Sequence, residues 1–315
     1  MGRPYPGTVI KLGSSGDDVY YIKNCLFDLG YYDDSIKVIV SKKFGEDSVT
    51  ATKKYQSSNK DCNGNKLVVD GKIGKLTWNA IVRDYDNIQP VPKTEYLTAK
   101  EYPNLTLTTI NTLNEDWNRQ FNGVYTDAVK FMRLCLKQAY DTVNGTYKAG
   151  DHLVGMYILG ANLYNKNGVI FTPTAKYIEQ RAKARPTYFN GGRKEFMLKE
   201  LKYNPNINAS DCSGMIIGVG WKTGLYKGGD TTADSLSSSS SYSTAVSKSA
   251  MLPGAWVAKS GHIGVYLGAG FVVEFAGGAY GCQITDLNNR KCRNMMTGKL
   301  EKMSSWTKYR KPKWY

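Results

Sequence analysis

Asp211-Cys-Ser-Gly-Met-Ile-Ile-Gly-Val-Gly220 and Gly261-His-Ile-Gly-Val-Tyr-Leu-Gly268 are the two stretches that decide the fold. The first turns from polar residues into an unbroken apolar block. Periodicity alone leaves a strand open, but the block suits a buried helix with Cys212 at its start. There the unpaired amides and the helix dipole favour a thiolate, the reactive form of a cysteine nucleophile. The second stretch alternates, with Ile263, Val265 and Leu267 on one face and His262 on the other. A strand over Ala255–Ala258 precedes it, and Phe271–Phe275 forms another after the turn Gly268-Ala269-Gly270. If those three residues make the loop, Leu267 opposes Phe271 and Gly264 opposes Glu274. His262 is then the diagonal same-face neighbour of Glu274, about 7–8 Å away by backbone. Long side chains bridge that gap, so the carboxylate can accept the imidazole's second N–H and fix its tautomer. A two-residue loop would put the pair on opposite faces.

The rest of the chain limits the alternatives. Its 315 residues are enough for two domains, or a large domain and a module. His152 and His262 are the only histidines, so a two- or three-histidine zinc site would consume the whole supply. No metal or cofactor is expected. The six cysteines form no C-x-x-C pair, which excludes a zinc ribbon or a thioredoxin-like motif. Cys282 and Cys292 are left open as a pair. The first residues carry no apolar signal segment, and no apolar run approaches the ~18 residues of a membrane span. The expectation is a chain made in the cytoplasm without membrane insertion, delivered outside by other means if it acts there.

Net charge is +15, of which residues 1–90 hold +2, residues 91–169 +1 and residues 170–315 +12. The basic excess points to a polyanionic partner. No nucleic-acid recognition motif accompanies it, so wall polymers are favoured over nucleic acid.

Residues 1–90 read as short helices between glycine turns. Val19, Ile22, Leu26 and Leu29 recur at helical spacing and Gly30 closes that helix; another helix fits Ser48–Gln56. A turn at Asp70-Gly71-Lys72-Ile73-Gly74 leads into a helix carrying Trp78. Asp86-Asn-Ile-Gln-Pro-Val-Pro92, within residues 84–97, reads as a linker. Residues 91–169 are expected to be a helical spacer, with an apolar stripe of Ala128, Phe131, Met132, Cys135 and Leu136 and a second helix over Ala149–Tyr164. Thr172-Pro173 is expected to cap a helix ending near Ala184. Ser235–Ser241 reads as a low-complexity surface loop.

Two resemblances attach to these residues. Gly16, Val19, Ile22, Leu26, Gly30-Tyr31, Phe44-Gly45, Tyr55-Gln56 and Asp70-Gly71-x-x-Gly74-x-x-Thr77-Trp78 together resemble the peptidoglycan-binding domain of wall hydrolases. This implies a three-helix wall-binding module over residues 1–90, marked by Tyr31, Asp70, Gly71, Gly74 and Trp78. Tyr188-Phe-Asn-Gly191-Gly192, Asp211-Cys212-Ser213-Gly214, Thr232-Ala-Asp234, Pro253-Gly254, Gly261-His262 and a polar residue twelve after the histidine resemble the NlpC-type cell-wall cysteine peptidases. That resemblance implies an α+β, papain-like domain over residues 170–315. In it Cys212 is the nucleophile, His262 the general base and Glu274 the orienting member, where many members carry His, Asn or Gln. Tyr188 lines the oxyanion pocket, and Asp211, Ser213, Gly191 and Gly192 meet the substrate. The implied partner is bacterial peptidoglycan, with anionic wall polymers. The implied reaction is endolysin-like cleavage of a stem-peptide amide, the γ-D-glutamyl to diamino-acid bond first, with muramoyl-alanine amidase, cross-bridge cleavage and a phage tail-associated role as alternatives.

Overall fold

The computed structural model describes residues 3–32, 41–88 and 94–315. The chain divides once, into Met1–Val91 and Pro92–Tyr315. Residues 89–93 of the expected linker lie outside the described residues. Beside them the linker reading is too long: Asp84–Ile88 finishes a helix, and Tyr96 and Leu97 are buried in the second unit's core.

The first unit holds α1 (Asp17–Asp28), α2 (Glu46–Ser58) and α3 (Lys75–Ile88) around Ile22, Leu26, Phe44, Tyr55, Ile73 and Trp78. Gly30 ends α1 at φ 79°, its N–H bonding Phe27 O while Tyr31 N–H bonds Leu26 O. This is the paired bonding of a Schellman close. The Asp70–Thr77 turn is organised by one buried amide. Gln56 Oε1 accepts from the N–H groups of Asp70 and Gly71, and Gln56 Nε2 donates to Asp70 Oδ1, Lys72 O and Thr77 Oγ1. Gly71 sits at φ 73°, and a Cβ there would stand 2.7 Å from Val49. Trp78 is wholly buried with its indole N–H on Arg3 O, while Tyr31 packs edge-on to Tyr55 and accepts from Asn59. The motif residues therefore build the module; Trp78 offers no surface to a ligand. Replacing Gln56 with Leu orphans the turn's buried donors and acceptors, and should destabilise this unit by roughly 2–4 kcal/mol. Hydrogen exchange at residues 70–77 of the full chain checks this; unchanged protection there would count against it.

The second unit is mixed α+β. Its α4 (Leu107–Phe121), α5 (Asp127–Leu136) and α9 (Cys212–Thr223) cover one face of a seven-stranded sheet. The strands are β1 (Tyr140–Asp141), β4 (Ser243–Ala245), β5 (Trp256–Lys259), β6 (His262–Gly268), β7 (Phe271–Gly277), β8 (Gly281–Asp286) and β11 (Lys308–Pro312), in the order β1-β8-β7-β6-β5-β11-β4. Only β1 and β8 run parallel. A side pair, β2 (Gly155–Tyr157) with β3 (Asn208–Ser210), is parallel, and β9 (Lys291–Arg293) pairs with β10 (Leu300–Lys302). Helices α6 (Ala175–Ala184), α7 (Pro186–Phe189) and α8 (Arg193–Tyr203) contribute to a second core with Met156, Ile178, Met197 and Ala209, and α10 (Ala233–Ser238) lies near the sheet beside β5.

Several expectations are corrected here. No helix spans Ala149–Tyr164: Gly150 and Gly160 take positive φ, and Gly155 brings β2 so close to β8 that a Cβ would stand 3.2 Å from Cys282. Thr174, not Thr172, caps α6, accepting from Tyr177 N–H. The serine run is half helix, with Leu236 and Ser237 buried, because Thr232 caps α10. The question left open for Cys282 and Cys292 is answered by all six cysteines being free. Residues 92–169 are no separate spacer: Trp117, Phe131, Met132 and Cys135 share one core with the sheet. No helix among the described residues is long and apolar enough to cross a membrane.

Candidate active site

Local forces place Cys212 at the start of α9. Asp211 is the N-cap, its Oδ1 accepting from Gly214 N–H at 2.7 Å and from Ser213 Oγ at 3.1 Å. Its Oδ2 accepts from Gly160 N–H at 2.6 Å. Both carboxylate oxygens are thus engaged by the protein, and Asp211 and Ser213 together build the helix start. The glycines of the helix admit the segment that wraps it. A Cβ on Gly214 would meet Ala161 O at 2.0 Å, and one on Gly218 would meet Tyr164 N at 2.5 Å.

Cys212 is buried, and the amide of Ile263, one residue after His262, is among the groups that act on its thiol. Burial first, then the charge of Asp211, pushes it up to about 12, while the Ile263 and Ser213 amides pull the other way. The expectation of a resting thiolate is therefore not met. Desolvation of the anion outweighs the help of the helix N-terminus, so Cys212 rests as a neutral thiol and needs a base.

His262 opens β6 and lies against Glu274 on β7, Nε2 to Oε2 at 2.6 Å. An ionised carboxylate only accepts, so the imidazole proton sits on Nε2 and Nδ1 is left for proton exchange. The register is the one expected with Gly264 level with Glu274, but it is reached through the shorter turn and a bulge. Gly268 pairs with Phe271 across a two-residue turn, Ala269 at φ 49° and Gly270 at φ 81°. A bulge between Tyr266 and Gly268 then restores Val265 opposite Val273, which returns His262 and Glu274 to one face. Trp117 donates its indole N–H to Leu267 O in that bulge at 2.5 Å, and Asp116 accepts from Ala269 N–H. Helix α4 thus clamps the hairpin that carries the pair. Gly264 leaves room as well, since a Cβ there would stand 3.3 Å from Glu274 Cβ.

Four residues near the site went unread in the sequence. Arg290, in the turn between β8 and β9, grips Glu274 with two nitrogens: Nε to Oε1 at 2.8 Å and Nη2 to Oε2. Thr285 Oγ1 donates to Oε1 at 2.7 Å. Trp306 stacks on His262 at 5.5 Å between ring centroids and underlies Arg290 at 4.3 Å. Tyr157, at the end of β2, has its phenol pushed far up, by burial and then by Cys212, Asp211 and Tyr188. Tyr188 itself is 49% exposed on α7, and Gly191 and Gly192 form the positive-φ corner into α8. Tyr157 thus lies within electrostatic reach of both Cys212 and Tyr188. Tyr157-x-x-Gly160 carries the same Tyr-x-x-Gly spacing as the stretch first chosen and was the available signal. Among the described residues, Cys212 and His262 make no hydrogen bond to each other; catalytic pairs often close only around substrate. His152, the other histidine, pairs with Glu200 and stacks on Tyr203.

Burial alone would raise Glu274, but Arg290 and then His262 outweigh it and hold the carboxyl at about 2, against 4.5 normally. A depressed carboxyl contributes stability that is complete above the unfolded value and is lost as pH falls through the folded one. The second unit should therefore lose roughly 3 kcal/mol between about pH 4.5 and pH 2 from this group. Unfolding of Glu274→Gln should be correspondingly flatter over that window; equal slopes for variant and parent would exclude it. No protein-family model, curated protein or solved structure matches this chain.

Proposed function

We propose that this chain is a peptidoglycan hydrolase whose second unit is a papain-like, NlpC-type cysteine peptidase and whose first unit is a wall-binding module. The observation that carries the reading is the meeting of a helix-start cysteine with the strand that presents a carboxylate-oriented histidine. The helix on a mostly antiparallel sheet supports the papain-like assignment. In the reaction, His262 Nδ1 takes the Cys212 proton as Sγ attacks the carbonyl carbon of a stem-peptide amide. The new C–S bond and the leaving amine follow, His262 giving its proton to the departing nitrogen. Water then attacks the thioester. His262 accepts the water's proton and returns it to the thiolate, releasing the acid. Tyr157 and Tyr188 are the candidates to line the pocket, Tyr157 by its electrostatic reach to Cys212. The basic excess of residues 170–315 suits anionic wall polymers, and tethering by the first unit raises the local substrate concentration.

Digestion of purified peptidoglycan, with mass spectrometry and end-group analysis, tests this. A new amino terminus on the diamino acid is expected, as for γ-D-glutamyl bond cleavage. A new terminus on the first alanine would make the enzyme an amidase, and cleavage within the bridge a cross-bridge peptidase. Absence of any new amino terminus would overturn the hydrolase reading.

A further inference from the structure

The third member of the site is charged, and a buried charge needs an account. A carboxylate alone against His262 would stabilise the imidazolium and hinder the return of its proton. It would also place a second anion near a thiol that must become a thiolate. Glu274 is fully buried, so water does not screen either effect. Arg290 answers both. It is 4% exposed, forks onto both oxygens of Glu274, fixes its own position by donating Nη1 to Ser304 O at 2.9 Å, and shares the Trp306 ring with His262.

We propose that Arg290 is a positioning residue of the active site, one that holds Glu274 in a single orientation and cancels its charge so that His262 can cycle its proton. In the state that gives up the thiol proton the four groups are thiol, imidazole, carboxylate and guanidinium. After proton transfer they are thiolate, imidazolium, carboxylate and guanidinium, alternating in sign. The sum is zero in both states, so the proton moves without leaving a net charge in the interior. A neutral orienting residue would need no such partner, and an arginine without the glutamate would be an unpaired buried cation. The other ionisable groups facing Glu274 from packed elements are Cys282 on β8, Cys292 on β9 and Cys212 on α9, all thiols raised by burial; Cys212 in turn faces Asp211 and Tyr157. None supplies a cation, so the compensation falls to Arg290.

The inference rests on the peptidase reading, and its test is chosen to fail separately. The rate of Cys212 alkylation by iodoacetamide is followed against pH in the full chain, by mass spectrometry of the Cys212 peptide. No wall substrate is needed. Arg290→Met should move the profile up by about one pH unit, because an uncompensated carboxylate disfavours thiolate and favours imidazolium. Arg290→Lys should leave the profile in place yet lower wall cleavage roughly tenfold, since an ammonium keeps the charge but not the fork. The double variant Glu274→Gln with Arg290→Met removes both charges and should return the profile to its original position. A merely structural arginine would not be rescued in this way. An unshifted Arg290→Met profile, a Lys variant shifted as far as Met, or a double variant displaced from wild type would each overturn the proposal. If Arg290→Met does not fold, the Lys and double variants decide it. A shifted profile without any wall cleavage would sink the hydrolase reading and leave the coupling standing.

Discussion

Cys212→Ala should lower peptidoglycan cleavage by roughly 10⁴- to 10⁶-fold, the range seen when a nucleophile that acts as a unit with its base is removed. The side chain is small, so the unfolding temperature should move little. His262→Ala should cost a similar factor, and the double variant little more than either, because neither group works without the other. Glu274→Ala should fall between them and wild type, with Glu274→Gln retaining more, since an amide oxygen still accepts from Nε2. The assay is release of free amino groups from purified walls, with circular dichroism melts as the folding control. Near-normal cleavage by a folded Cys212→Ala protein would end the cysteine mechanism. Full activity in Glu274→Ala would assign the orientation of His262 to another group.

The second large effect is expected far from the nucleophile in sequence. Trp117 is fully buried on α4 and its indole N–H is the partner of the Leu267 carbonyl in the β6–β7 bulge. Trp117→Ala should destabilise the second unit by about 3–5 kcal/mol through the cavity alone. Trp117→Phe keeps most of the ring and loses the donor, so about 1–3 kcal/mol is expected from the stranded carbonyl. Denaturant unfolding gives the totals, and hydrogen exchange locates them. In the Phe variant the loss of protection should centre on residues 266–271. Uniform loss across the unit would show that the ring, not the bond, holds the hairpin.

These outcomes also mark how far the sequence could be read. The nucleophile helix was legible because Asp211 caps, Gly214 and Gly218 thin the helix, and every residue from Gly214 to Gly220 is apolar or glycine. The pairing of His262 with Glu274 was legible from strand alternation, although its route was not. A bulge adds one residue without a compositional mark, so a two-residue turn and the same-face outcome coexist. Arg290 was invisible because its role depends on a turn between β8 and β9 folding back over β7, a long-range placement with no local pattern. Trp306 and Tyr157 fail for the same reason. The region before residue 170 was misread from its apolar content: Leu153–Ile158 is apolar for a short parallel strand, not a helix, and local propensity yielded to the neighbour at β3. The resting state of Cys212 was misjudged because exposure cannot be seen in a sequence, and desolvation decides a thiol's charge as much as the helix end does.

Strand β11 sits inside the sheet, paired with β5 through Tyr309 and Val257 and with β4 through Arg310 and Ala245. Residues 308–312 therefore separate two strands made well before them, and Trp306, the ring against His262, is delivered by the same segment. A nascent chain cannot finish this sheet while those residues are inside the ribosome, even though Cys212 and His262 were made far earlier. Non-local strand insertion of this kind is slow, so the site is completed late, after synthesis of the residues it gathers. Cys212, His262 and Glu274 thereby meet in a finished sheet only once translation has passed its last strand.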